Sequence, residues 1–148
     1  MTETIKYSMN FQVVGGTSIP ISSEIVVEAY GKIQVVVPKS ATDLAINLQP
    51  EGTKLANFLL IKSSKYGPEL SYKVTIPIAA PATTTTPATT TTSITTKTSD
   101  PIVLDGPHVF LGNGAVSMLG QSPTQLLFSN TLVEAVTIDI LLGRDATP

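Results

Sequence analysis

The sequence predicts an all-β protein, an antiparallel β-sandwich of jelly-roll or Ig-like type with about ten short strands. Three observations carry that expectation. Apolar residues recur at every second position in most hydrophobic stretches, the period of a strand with one buried face. Turn residues separate those stretches about every eight to twelve residues, the spacing of sandwiches and barrels. Helical patterning is thin: Ala41–Leu48 and Gly114–Gly120 each offer one turn at most, and neither has a cap-to-cap helical pattern. A chain of 148 residues suits a single domain over residues 1–148.

From the N-terminus, Ile5, Tyr7, Met9, Phe11 and Val13 alternate with Lys6, Ser8, Asn10 and Gln12, and Gly15-Gly16 ends the strand. Glu24–Tyr30 and Lys32–Val37 flank Gly31 and read as a tight hairpin, closed by Pro38. Leu44, Ile46 and Leu48 alternate ahead of the Pro50-Glu51-Gly52 turn. Leu55–Lys62 holds the continuous run Phe58-Leu59-Leu60-Ile61, the pattern of a strand covered on both faces. Tyr66-Gly67-Pro68 turns into Leu70, Tyr72, Val74 and Ile76. Further short runs follow at Ile102–Leu104, Val109–Leu111, Ala115–Leu119, Gln125–Ser129 and Val133–Leu142.

Between these halves lies a Thr/Pro/Ala-rich insertion, residues 78–101, built on Pro-Ala-Thr-Thr-Thr-Thr repeated from Pro81 to Thr92. Its near lack of apolar side chains removes it from any core. The composition fits a flexible loop, a mucin-like stalk or a projecting β-arm, because threonine is β-branched and favours extended backbone. As an arm it would contact partners through Thr84, Thr85, Thr90, Thr91 and Ile94, with Arg144 in the C-terminal tail as a further contact.

Composition narrows the function. Nine Lys and Arg against eleven Asp and Glu leave a net charge of -2, and no basic block forms, so a nucleic-acid partner is not expected. No apolar run approaches the roughly 20 residues of a membrane span, and Met1–Gly15 lacks the basic start and hydrophobic stretch of a secretory signal. The absence of cysteine excludes disulfides, thiol nucleophiles and Cys-ligated metals.

Catalytic patterns are not found. His108 is the only histidine, and Asp105-Gly106-Pro107-His108 reads as a turn with no Gly-x-Ser-x-Gly elbow to complete a triad. Glu24 and Glu28 are placed on the solvent face of one strand, and Asp139 is an outward-facing polar residue in an apolar strand. Gly112-Asn113-Gly114 has Ser117 where a phosphate-cradling loop needs its third glycine, and reads as a turn. No enzyme, cofactor or metal is expected.

The charged fraction is only 14%, against about 25% in an ordinary domain. A surface so poor in charge, on a sandwich whose edges few lysines guard, suits a subunit buried among neighbours. Leu55-x-x-Phe58-Leu59-Leu60-Ile61-Lys62-Ser63-Ser64-x-Tyr66-Gly67, Val103-Leu104-Asp105-Gly106-Pro107, Ser129-Asn130-Thr131-Leu132 and Val136-x-Ile138-x-Ile140-Leu141-Leu142-Gly143-Arg144-Asp145 together resemble the strand ends and turns of small all-β virion proteins of tailed bacteriophages. That resemblance implies a capsid cement or decoration subunit located in the virion, a homotrimer that clamps major capsid proteins. Tail and head–tail adaptor subunits share such folds. The competing expectation is a carbohydrate- or receptor-binding module, with Tyr66 at a loop tip and Phe110 as its aromatic platform beside Asn113, Gln121 and Gln125.

Overall fold

The computed structural model describes residues 2–48, 55–79, 94–120 and 123–145. Eleven strands form among them. In chain order they are β1 (Glu3–Gln12), β2 (Ser18–Val27), β3 (Ala29–Val37), β4 (Ala41–Asn47), β5 (Ala56–Ser63) and β6 (Leu70–Ala79). β7 (Ile94–Thr98), β8 (Ile102–Val103), β9 (His108–Leu111), β10 (Gln125–Asn130) and β11 (Val136–Arg144) follow, with one helical turn, α1 (Asn113–Val116), before β10.

The strands fall into three antiparallel sheets. β1 and β2 pair only with each other. One body sheet has the order β3-β11-β5-β9, and the other has β4-β10-β6-β7 with β8 also on β6. β7 pairs with Thr75 to Ala79 and β8 with Ser71 and Tyr72, so together they make the edge next to β6 in two pieces. The first body strand lies beside the last, β3 on β11, and the second beside the next to last, β4 on β10. That is jelly-roll connectivity, which settles the choice between the two sandwich types in favour of the jelly roll.

Period two explains which residues meet between the sheets. Val136, Ile138, Ile140 and Leu142 of β11 face inward with Leu59 and Ile61 of β5, against Leu70, Tyr72 and Val74 of β6 and Leu126 and Phe128 of β10. The other side of β6 carries Ser71, Lys73 and Thr75, and that of β11 carries Thr137 and Asp139, whose carboxylate accepts from Gln34 Nε2 at 2.8 Å on the outer surface. A second polar tie, Lys65 to Glu134, joins two exposed loops.

Two local expectations are corrected. Gly31 does not turn a hairpin: β3 runs straight through it, pairing Gly31 with Leu142, while β2 pairs with β1. The break falls at Glu28, where the chain leaves one sheet for another and its N–H donates to the Arg144 carbonyl at 2.9 Å. A Cβ at Gly31 would meet only the tip of the Arg144 guanidinium, at an ordinary contact distance of 3.8 Å, so neither space nor backbone conformation requires glycine there. Ala115–Leu119 is helical, continuing α1 with a 3₁₀ turn over Ser117–Leu119. In Ala41–Leu48 the alternation of Leu44 and Ile46 forms β4, with a bulge opposite Ser129, where Asp43 adopts φ 50° and its N–H donates to Ser129 Oγ at 3.0 Å.

Candidate interaction surface

The β1–β2 hairpin is the element that leaves the body. Its ten pairs run from Glu3 with Val27 to Gln12 with Ser18. The turn closes through Gly16 N–H to the Val13 carbonyl at 2.8 Å, and Gly15 occupies φ 76°, a conformation open to glycine without strain. Odd-numbered residues share one face, so Ile5 lies opposite Ile25, Tyr7 opposite Ser23, Met9 opposite Ile21 and Phe11 opposite Ile19. The other face carries Lys6 opposite Glu24, Ser8 opposite Ser22 and Asn10 opposite Pro20.

Only the base of the apolar face is covered. A Cβ on Gly143 would lie 2.8 Å from Ile5 and 2.8 Å from Val27, and 3.1 Å from Phe58, so the hairpin base rests directly on the outer face of the β11–β5 pair. This contact buries Phe58 and Val27 outside the main core and explains why the Phe58–Ile61 run is apolar on both faces. Asn57 Nδ2 donates to the Val26 carbonyl at 3.3 Å and helps hold the base. Beyond it the face opens: Ile21 is 39% exposed, Phe11 and Ile19 are each 58% exposed, and Val14 at the tip is fully exposed. Both edges of the hairpin are also free of strand partners among the described residues.

Sequence reasoning took Phe11 for core and missed Ile19 and Ile21. Pro20 and the surrounding serines concealed the first half of β2, whose second half falls in the Glu24–Tyr30 run. The available signal was the double glycine at Gly15-Gly16 with odd-position apolar residues on both sides of it.

Other proposed contact residues separate. Thr84, Thr85, Thr90 and Thr91 lie outside the described residues, as does Gln121. Ile94 opens β7, opposite Ala79, so the insertion's flanks are paired strands of the β6–β7 ladder. The exposed side chains of Thr95–Thr98 line that edge. Arg144 is the last residue of β11, half-buried, with its carbonyl taken by Glu28 and its Nε buried without a hydrogen-bond partner. Glu28 is therefore no strand neighbour of Glu24.

His108 faces inward from β9 and meets Tyr72 of the opposite sheet, with its Nδ1 2.8 Å from the phenol oxygen. Tyr72 is fully buried, and that burial pushes its hydroxyl well above the ordinary range of a phenol. The hydroxyl keeps its proton and shares one hydrogen bond with Nδ1, while Nε2 lies 3.9 Å from the Asp105 carboxylate. The rings also meet edge-on at 5.7 Å. Carboxylate, imidazole and phenol thus line up, but the string ends on a buried hydroxyl and acts as a strut between the sheets.

The strut makes an unequal pair of predictions. His108→Leu strands a buried hydroxyl and is expected to cost roughly 1–3 kcal/mol. Tyr72→Phe removes that hydroxyl, and His108, 21% exposed, can turn to water; it should cost less. Urea denaturation of the two variants orders them, and a larger loss for Tyr72→Phe would overturn the strut.

Tyr66 and Phe110 do not form an aromatic platform. Tyr66 packs against the core and its hydroxyl accepts the Ser63 N–H at 3.1 Å, while Phe110 faces inward beside His108. An open cleft of about 370 Å³ lies beside β6, lined by Ile76, Lys97, Asp100, Met118 and Leu119 among others. Gly112 starts the four-residue α1, with φ 85° and its N–H donating to the Asn57 carbonyl. No group of three or more His, Asp or Glu side chains suited to a metal ion occurs among the described residues.

The chain matches no protein-family model, no curated protein and no solved structure.

Proposed function

We propose that this chain is a non-enzymatic structural subunit of a virion, a capsid cement or decoration subunit that steadies the shell through lateral contacts. The single observation that carries this reading is the hairpin: an amphipathic two-stranded ribbon, anchored at its base on a jelly-roll body, with its outer apolar face open to solvent. An isolated ribbon of this kind is marginal in water and gains stability by packing on something else. Jelly rolls serve capsids and lectins alike, so the surface has to separate them. Here Tyr66 and Phe110, the pair expected to form a sugar platform, are turned into the core, and the apolar strip that stays open runs along an arm. The low charge of the chain and the resemblance of residues 55–145 to phage virion proteins favour the same reading.

The test is made in the native genetic background with a tagged copy of the chain. Particles banded in a density gradient are expected to carry it in fixed ratio to their shell protein, and particles lacking it should release their contents at a lower temperature. Recovery of the chain only from the unassembled fraction would overturn the reading. Replacing residues 81–93 with a short Gly-Ser turn, which spares β7, should reduce particle binding if the Thr-rich tract is a contact arm.

A further inference from the structure

We infer that the open apolar face of the β1–β2 hairpin is a self-association surface, which packs on the same face of a second copy of this chain. The inference deepens the assembly reading and rests on it for its biological purpose, while its physical basis is independent. Size is the first support. The face from Tyr7 to the turn is a strip about 20 Å long and about 10 Å wide by strand geometry. Two such strips outline about 400 Å² and, with the relief of their side chains, bury roughly twice that between them, the size of a weak, concentration-dependent contact. The Met9, Phe11, Ile19 and Ile21 side chains supply the centre, and Phe11 is the aromatic anchor.

The body's exposed apolar side chains sit on separate elements, as with Tyr30 and Val36 on β3, Ile78 on β6, Val109 on β9, Met118 in the 3₁₀ turn and Val133 between β10 and β11. None of these makes a strip of comparable length among the described residues. The matching surface on a second copy is therefore the hairpin itself, and a surface that recognises itself generates a two-fold contact.

Charge permits this. From Ile5 outward the apolar face bears no ionisable group other than the Tyr7 phenol, and its other polar side chain is Ser23. Lys6 and Glu24 are opposite each other on the reverse face, so pairing through the apolar side brings no like charges together. Contact of the base with Gly143 and Phe58 blocks approach at Ile5. The second copy has to enter from the tip, with the two-fold axis crossing near Phe11 and Ile19.

Light scattering after size exclusion, across a concentration series of the full chain, tests the inference. The native chain is expected to associate, and Phe11→Thr combined with Ile19→Thr should weaken association at least a hundredfold while keeping β-compatible side chains. Ser8→Lys, on the reverse face, should leave it unchanged. Circular dichroism and the thermal midpoint of the body check that each variant folds, and hydrogen exchange of β1 and β2 in the native chain should slow as concentration rises. A native chain that stays monomeric at about 100 μM, association that survives the double substitution, or equal loss with Ser8→Lys would each overturn the inference. A chain that associates through the hairpin but never enters particles removes the shell reading and keeps the pairing; a monomer that still bands with particles does the reverse.

Discussion

Asn130→Ala is expected to destabilise the body by on the order of 3–5 kcal/mol, the largest loss of any single truncation of a polar side chain here. Asn130 is fully buried at the end of β10. Its amide nitrogen has two hydrogens for three carbonyls, those of Val37 at 3.2 Å, Pro38 at 3.2 Å and Glu134 at 3.0 Å, so one hydrogen is shared between two of them. Its carbonyl oxygen accepts the Leu132 N–H at 2.9 Å. One side chain therefore satisfies the backbone at the end of β3, in the loop after it and in the connection from β10 to β11. Alanine leaves those groups facing a space too apolar to hydrate them well, and an unsatisfied buried group costs roughly 1–3 kcal/mol. The urea midpoint should fall with an unchanged m-value. A loss under about 1 kcal/mol would mean that water replaces the amide, and the three segments do not depend on it.

Gly143→Val is expected to cost about 4 kcal/mol, with much of the damage confined to the hairpin. No positive φ is involved at this position; the constraint is space. The first added carbon already lies within 2.8 Å of Ile5 and Val27 and 3.1 Å of Phe58, closer than carbon atoms pack. Ile5 and Val27 belong to the hairpin and Phe58 to β5, so relief comes most easily by lifting the hairpin base off the sheet. Overpacking of this kind costs about 1–3 kcal/mol for a small increment and more for a branched side chain. Lifting also exposes Phe58, whose burial depends on that contact. Hydrogen exchange should show protection lost in β1 and β2 and retained in β5 and β11. Unchanged protection of the hairpin would show that its base is held by other contacts, such as Asn57 to Val26.

These two sites differ in how far the sequence reveals them. Asn130 sits at the end of an alternating run, where a polar residue looks like the start of a turn; its burial follows from loops that are distant in sequence. Gly143 follows an apolar run and looks like a strand terminator. β11 in fact continues through it to Arg144, and its small size is set by a hairpin more than a hundred residues away in the chain.

The Gly31 correction has the same origin. Two β-rich runs around a glycine describe a hairpin as well as they describe one continuous strand. The choice is made by β11, whose Leu142 pairs with Gly31 and draws both runs into one strand. Likewise, period two identified the apolar side of β1 correctly, yet gave no means of telling a face buried in the core from one left open on an arm. His108 read as a turn residue because Tyr72, its partner, comes 36 residues earlier on the opposite sheet.

Local alternation and turn chemistry, which depend on a few consecutive residues, were enough to determine an all-β chain, most of its strands and the apolar side of each. Strand partners are chosen across the chain by which faces can exclude water together, so tertiary structure alone decided the jelly-roll order, the buried Asn130 and the seat under Gly143. It also decided that the first apolar face lies mostly outside the core, because both sides of the sandwich interior were already filled by β5, β6, β10 and β11.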